Sequence, residues 1–280
     1  MTETTNPLKQ YFRQPVIYAR LPSQGKFWPE GTVAIPPNGE LPIYPMTAVD
    51  EITTRTPDAL FNGSAVIRIF ESCVPSVKNA WAMPSIDVDT LLVAVRIATY
   101  GHEMDVNTRC PNCDTQNEYQ VDLRNILANI KTPDYESSMD IQGLKFFFRP
   151  LSYQQMNENN QLQFEDQKSM QTMSDADIDD QEKMKRLGES FLRITALTIK
   201  SIAQSISAIR TADAVVTETA HILEFLQNCD RAAFNSIRDH IVKLKQESET
   251  ESLKITCTEC STQFDQPFTL DMSNFFVTNS

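Results

Sequence analysis

Two short cysteine pairs constrain this chain more than any other feature: Cys110-Pro111-Asn112-Cys113 and Cys257-Thr258-Glu259-Cys260. Together they hold four of its six cysteines. A gap of two residues lets a tight turn point two thiolates at one ion, and two such pairs complete a closed tetrahedral shell. The pairs also share their continuation. Each second cysteine is followed by one variable residue and then Thr-Gln, as Asp114-Thr115-Gln116 and Ser261-Thr262-Gln263. Strand-compatible stretches precede them, Val106-Asn107-Thr108-Arg109 and Leu253-Lys254-Ile255-Thr256, and strand candidates follow at 119–123 and 267–270. Strand, knuckle and strand, twice over, are the two halves of a zinc ribbon. The expected metal ligands are therefore Cys110, Cys113, Cys257 and Cys260, and the expected cofactor is Zn2+.

Between the pairs lie 143 residues, far more than the usual tens, so the reading requires an insertion between the halves. Its ends must return close together, and loop-closure entropy grows slowly enough to allow this. Three other readings of the cysteines stay open on spacing alone. The pairs are simply buried or occasionally oxidised; they are redox pairs, although Cys110 precedes strand-like sequence instead of opening a helix; or they hold an iron–sulfur cluster. A four-cysteine shell leaves no vacant position for water or substrate, which favours architecture over catalysis.

Charge narrows the partners. The formal net charge is −12 with a pI near 4.8, a field that repels phosphate backbones. The rival reading is a zinc-ribbon factor associated with nucleic acid, or an enzyme's accessory subunit. Against it, Asp114, Glu118, Asp122, Glu259 and Asp265 outnumber Arg109 and Lys254 around the pairs. Seven glycines are too few and too scattered for phosphate-binding loops. No apolar run reaches the roughly 18 residues of a membrane span, and Met1-Thr2-Glu3-Thr4 does not open a secretory signal. We expect no nucleic acid, no membrane and no small-molecule substrate.

Patterning supplies the rest. Residues 1–30 combine Pro7, Pro15, Pro22 and Pro29 with aromatics and read as an extended arm. Asn38-Gly39, between residues 32–35 and 40–44, signals a hairpin. Thr47 with Asp50 and Glu51 marks one helix start, and Thr56-Pro57-Asp58 another. Residues 64–74 and 86–100 read as buried helices, the second closed by Gly101. Ile141 to Phe148 is a strand candidate, and 153–181 a polar helix with a loop near 174–180. Met184, Leu187, Phe191, Ile194, Thr198, Ile202 and Ile209 predict one long amphipathic helix, unwinding before Thr211. Two further helices follow, one around Ile222 capped by Thr217 and one around Ile237 behind Asp230. The expected fold is α+β and predominantly helical, with a zinc ribbon formed by two distant C-x-x-C knuckles and a helical insertion between them. Its domains are the arm at 1–30, a mixed hairpin and helical body at 31–105, the ribbon at 106–125 plus 251–272, and the insertion at 126–250.

Other reactive side chains carry no motif. Cys73 and Cys229 sit in helical surroundings as small hydrophobes. His102, His221 and His240 are scattered. Asp175, Asp177, Asp179 and Asp180 lack the central glycine of a calcium loop and read as a solvated segment. Met170, Met173 and Met184 suit either a helix core or an adaptable contact surface. No catalytic constellation emerges.

The order of several short motifs is distinctive: Leu21-Pro22-Ser23-Gln24-Gly25-Lys26-Phe27, then Met46-Thr47-Ala48-Val49-Asp50-Glu51, then Arg96-Ile97-Ala98-Thr99-Tyr100-Gly101, then the first cysteine pair. In this the chain resembles the baseplate hub subunit and hub assembly chaperone family of T4-like contractile-tailed bacteriophages. The resemblance covers about residues 16–125, with Asn228-Cys229-Asp230-Arg231 consistent with it further on. It implies a non-enzymatic tail protein that helps build the central hub, with other baseplate or hub proteins as partners. The implied location is the host cytoplasm during assembly and the tail baseplate of the virion.

Overall fold

The computed structural model describes residues 6–54, 63–175, 179–249 and 252–268. In chain order its strands are β1 (Ile17–Arg20), β2 (Glu40–Ile43), β3 (Glu103–Arg109), β4 (Gln116–Asp122), β5 (Met139–Ile141), β6 (Leu144–Phe148), β7 (Ile206–Arg210), β8 (Val215–Val216), β9 (Leu253–Thr256) and β10 (Gln263–Gln266). The α-helices among the described residues are α1 (Ala48–Thr54), α2 (Ser64–Cys73), α3 (Ser85–Tyr100), α4 (Leu123–Asn129), α5 (Tyr153–Asp175), α6 (Asp180–Gln204), α7 (Thr219–Asn228) and α8 (Arg231–Ser248). The chain divides into two units, one of residues 1–80, 87–130 and 250–280, the other of 81–86 and 131–249.

In the first unit the core is α3, whose Leu91, Leu92, Val93, Ala94 and Val95 are all buried. A helix apolar on every side must be enclosed. Gly101 ends it at φ +91°, its N–H bonded to the Ile97 carbonyl, a conformation that a side chain would strain. Near the other end, Asp87 is fully buried and receives three donors: the Ser23 N–H at 2.8 Å, the Ser23 hydroxyl at 2.5 Å and the Trp28 indole N–H at 2.8 Å. Burial pushes the Asp87 carboxyl up to about 6, against the pull of those donors. The Leu21-Pro22-Ser23 motif therefore packs inward, with Leu21 and Ser23 buried.

Arg13 fixes the preceding segment, donating to the Pro45 carbonyl at 2.5 Å and to the Ser72 carbonyl at 2.7 Å. The predicted start of α1 is present: Asp50 accepts the Thr47 N–H at 2.8 Å, and Thr47 Oγ1 accepts the Asp50 N–H at 3.3 Å. The second predicted start, at Thr56, lies outside the described residues. The hairpin expected at Asn38-Gly39 does not form. The turn closes, with the Gly39 N–H on the Pro36 carbonyl, but β2 pairs antiparallel with β1, and Val33 bridges to Val77 instead. A good turn signal fixes the bend and not the strand's partner.

The second unit has one antiparallel sheet in the order β5-β6-β7-β8. Gln142 and Gly143, at φ +52° and +81°, make the two-residue turn joining β5 to β6, the geometry that right-twisted strands require. Phe146, Phe148, Ile206 and Ile209 form a core with Ile202, Ile222, Leu226, Ile237 and Leu244. Asp230 caps α8 as expected, accepting the Ala233 N–H at 2.9 Å. Thr217 does not cap α7, whose N-cap is Glu218 without a side-chain bond.

The long helix predicted through Ile209 ends at Gln204, and Ile206 to Arg210 is a strand. Register shifts between Phe147 and Phe148, which pair with Ala208 and Ile206, so Ser207 is an extra residue. Such a bulge lets Ile206 and Ile209, three apart, both turn inward. The same spacing mimics a helix. The expectation of a predominantly helical fold is corrected accordingly: among the described residues ten strands in four sheets stand beside eight α-helices, and the fold is mixed. Patterning predicts strands within 40–44, 106–109, 119–123, 141–148 and 253–256 but does not predict β1, β7 and β8: β1 lies among the prolines of the arm, β8 has two residues, and β7 carries apolar residues at helical spacing.

Candidate metal centre

Each cysteine pair closes an antiparallel hairpin, β3 to β4 through Arg109 opposite Gln116, and β9 to β10 through Thr256 opposite Gln263. The strand expected at 267–270 is displaced: β10 ends at Gln266, before Pro267, and residues 269–270 lie outside the described residues.

The repeated Cys-x-x-Cys-x-Thr-Gln has a physical reason at each position. The N–H of the first cysteine donates to the threonine carbonyl, Cys110 to Thr115 at 3.0 Å and Cys257 to Thr262 at 2.9 Å. The first cysteine's carbonyl accepts the N–H four residues on, from Asp114 at 2.9 Å and Ser261 at 3.0 Å. Asp114 and Ser261 are left-handed, at φ +58° and +57°, which turns the chain back into the strand. Thr115 Oγ1 and Thr262 Oγ1 each lie 3.3 Å from the second cysteine's sulfur.

The two hairpins meet with Cys110 Sγ 3.6 Å from Cys260 Sγ and Cys113 Sγ 3.6 Å from Cys257 Sγ. All four sulfurs lie within 4.8 Å of one another. These separations are too long for disulfides, which need about 2.05 Å. They suit one ion: with metal–sulfur bonds of about 2.3 Å, a tetrahedron has edges of about 3.8 Å. Cys110 and Cys257 are buried, Cys260 half-buried and Cys113 exposed. The four cysteines predicted as ligands are thus brought together, and they can hold a metal ion.

The thiols are electrostatically unequal. Burial pushes Cys110 up to about 11, outweighing the Cys113 and Asn112 N–H groups directed at its sulfur. Cys260 is drawn down to about 5, first by the Thr262 hydroxyl, then by the Thr262 N–H and the Asn112 side chain. Cys257 is lowered mainly by the Cys260 N–H, with burial opposing. Donors aimed at sulfur favour the thiolate, the form that binds metal.

Pattern reading missed the residues that join the hairpins. Asn117, only 2% exposed, reaches from β4 to the second knuckle. Around it, the Tyr119 hydroxyl donates to the Thr256 carbonyl at 2.5 Å, Thr108 to Gln266 Oε1 at 2.5 Å, and Asn112 to Thr262 Oγ1 at 3.3 Å. The available signal was a polar side chain at an inward position of a strand.

Among the described residues, none of the other candidates joins the group of four. Cys73 is buried, its thiol pushed up to about 12 chiefly by burial. Cys229 is half-buried, and its thiol is raised for the same reason. His240 lies against Phe148 with ring centres 4.6 Å apart and the planes tilted by 45°, and burial lowers its basicity. The proposed acidic segment is only partly within the described residues, and Asp177 lies outside them. No helix of the described residues is long and apolar enough to cross a membrane.

Mixed α and β units in which two matching hairpins bring four cysteines together define a protein class with a clustered-thiol centre. A family model described as T4 bacteriophage base plate protein matches residues 20–277, nearly the whole chain. The chain belongs to that family. Neither the curated proteins nor the solved structures yield a match.

Proposed function

We propose that this chain is a component of the baseplate hub of a contractile phage tail, or the chaperone that assembles that hub, and that it acts through protein contacts with a structural zinc ion on Cys110, Cys113, Cys257 and Cys260. The observation that carries the reading is the four-sulfur cluster of a baseplate-family protein, with every sulfur within 4.8 Å of the others. Zinc suits the donor set, and four thiolates would close its shell to water and substrate. The ion would join the segments that lead into and out of residues 131–249, so its role is to fix architecture. Such a closed shell favours a non-enzymatic role.

Exposed apolar side chains support action by contact. On the α5 and α6 pair, Leu162, Phe164, Met184, Phe191 and Leu192 are between 47% and 72% exposed. A groove of about 560 Å³ runs along the same pair beside the ion pair of buried Asp166 with exposed Arg193 at 2.8 Å. Apolar surface of this kind marks sites that a partner covers. Partners would be other baseplate or hub proteins, met in the host cytoplasm during assembly and retained or released at the virion tail. The negative charge disfavours nucleic acid as the partner.

Two measurements test the proposal. Elemental analysis of the purified full-length protein should find one zinc per chain, and iron or no metal would overturn the zinc assignment. Tagged protein recovered from infected cells should bring tail proteins with it, and recovery without any would overturn the assembly role.

A further inference from the structure

Resting on the reading that the four cysteines hold a metal, we infer that Asn117 is a positioning residue of the centre: its side-chain amide hydrogen-bonds the Cys257 sulfur and docks the second knuckle onto the first hairpin. Asn117 Nδ2 lies 3.6 Å from Cys257 Sγ and donates to the Thr115 carbonyl at 2.9 Å. Its Oδ1 accepts the Thr258 N–H at 3.0 Å and the Thr258 hydroxyl at 2.8 Å. Both amide donors and both acceptor directions are therefore used. The orientation is also determined, because a flipped amide would set its oxygen against a carbonyl and a sulfur, and its NH2 against an N–H.

One buried side chain thus touches the turn of the first pair, a ligand sulfur of the second, and the backbone between Cys257 and Cys260. Thr108, the next most buried of the joining residues, is 8% exposed. The amide does not belong to the repeated motif. Two residues past the threonine, the first hairpin has Asn117 and the second has Phe264, so the contact runs in one direction only. An N–H directed at a metal-bound thiolate withdraws electron density from sulfur and fixes its lone pairs, the role that outer hydrogen bonds play at metal sites.

The test uses the full-length protein loaded with zinc or cobalt(II). Asn117→Asp keeps the shape and the acceptor for Thr258 but removes the N–H. Asn117→Leu removes it without adding charge. Thr258→Val deletes one donor to Asn117 and leaves the bond to sulfur. Both Asn117 variants should lose about 10- to 100-fold in zinc affinity against a competing chelator. In both, the sulfur-to-cobalt charge-transfer band should move to longer wavelength, while Thr258→Val should leave the band in place. Asn117 variants within twofold of the parent affinity, or weakened with an unmoved band in a protein whose circular dichroism is unchanged, would overturn the role at sulfur. A parent that takes up neither ion would instead overturn the metal reading, before any variant is made.

Discussion

The two knuckle hairpins are alike in their turns and unlike in their surroundings. Each has the same N–H to threonine carbonyl bond, the same left-handed residue within 1°, and the same 3.3 Å contact from threonine hydroxyl to sulfur. Their strands differ, seven residues each in β3 and β4 against four each in β9 and β10. So do the thiols at matching positions, Cys110 raised and Cys257 lowered. Turn geometry follows from local sequence, and sulfur chemistry follows from what packs around it.

The strongest way to break this comparison is to remove one ligand from each hairpin. Cys110→Ser and Cys257→Ser should each reduce bound zinc from one per chain to almost none, because one ion needs both pairs. Loss of hydrogen-exchange protection should be confined to residues 103–122 and 253–266. Phe146, Ile209 and their neighbours form a separate core, so strand β7 should keep its protection. If either variant keeps its metal, the hairpins do not share one site.

Thiol titration separates Cys110 from Cys260 by sign. In metal-free protein Cys260 falls from an ordinary 9.0 to about 5, so its stabilisation is complete above pH 9 and is lost as pH falls through 5. Cys110 rises from 9.0 to about 11, so its contribution is complete below pH 9 and is lost as pH rises through 11. At pH 7 with chelator present, iodoacetamide followed by peptide mapping should therefore label Cys260 before Cys110. The reverse order would mean that the donors around Cys260 are not made in solution. Zinc should suppress both reactions.

What was legible in the sequence has a physical pattern. The cysteines and their Thr-Gln continuation could be read because every bond of the knuckle turn lies within six residues. The Asp230 cap and the Gly101 stop were legible for the same reason. Asn117 was not, because its partner Thr258 is 141 positions away. Strand β2 was given the wrong partner because Ile17 to Arg20 competes for the same edge. The end of α6 was misplaced because a bulged strand and a helix both put apolar residues three apart. Local chemistry is visible in sequence, whereas pairing across a long excursion is settled by burial, which no short window contains.

The smallest expected effect tests whether the two turns are equivalent. Asp114 and Ser261 hold φ near +58°, a region that costs side-chain-bearing residues energy and glycine almost none. Asp114→Gly and Ser261→Gly should each relieve that strain, while the greater freedom of glycine in the unfolded chain offsets part of the gain. The net change should be under about 1 kcal/mol and similar for both, read from denaturant midpoints of the zinc-loaded protein. Asp114 also faces Arg109 at 3.5 Å, but both side chains are largely exposed and the pair adds little. A clear gain at Ser261 with a loss at Asp114 would show that the first turn depends on its aspartate, and the repeat would then be one of shape and not of energetics.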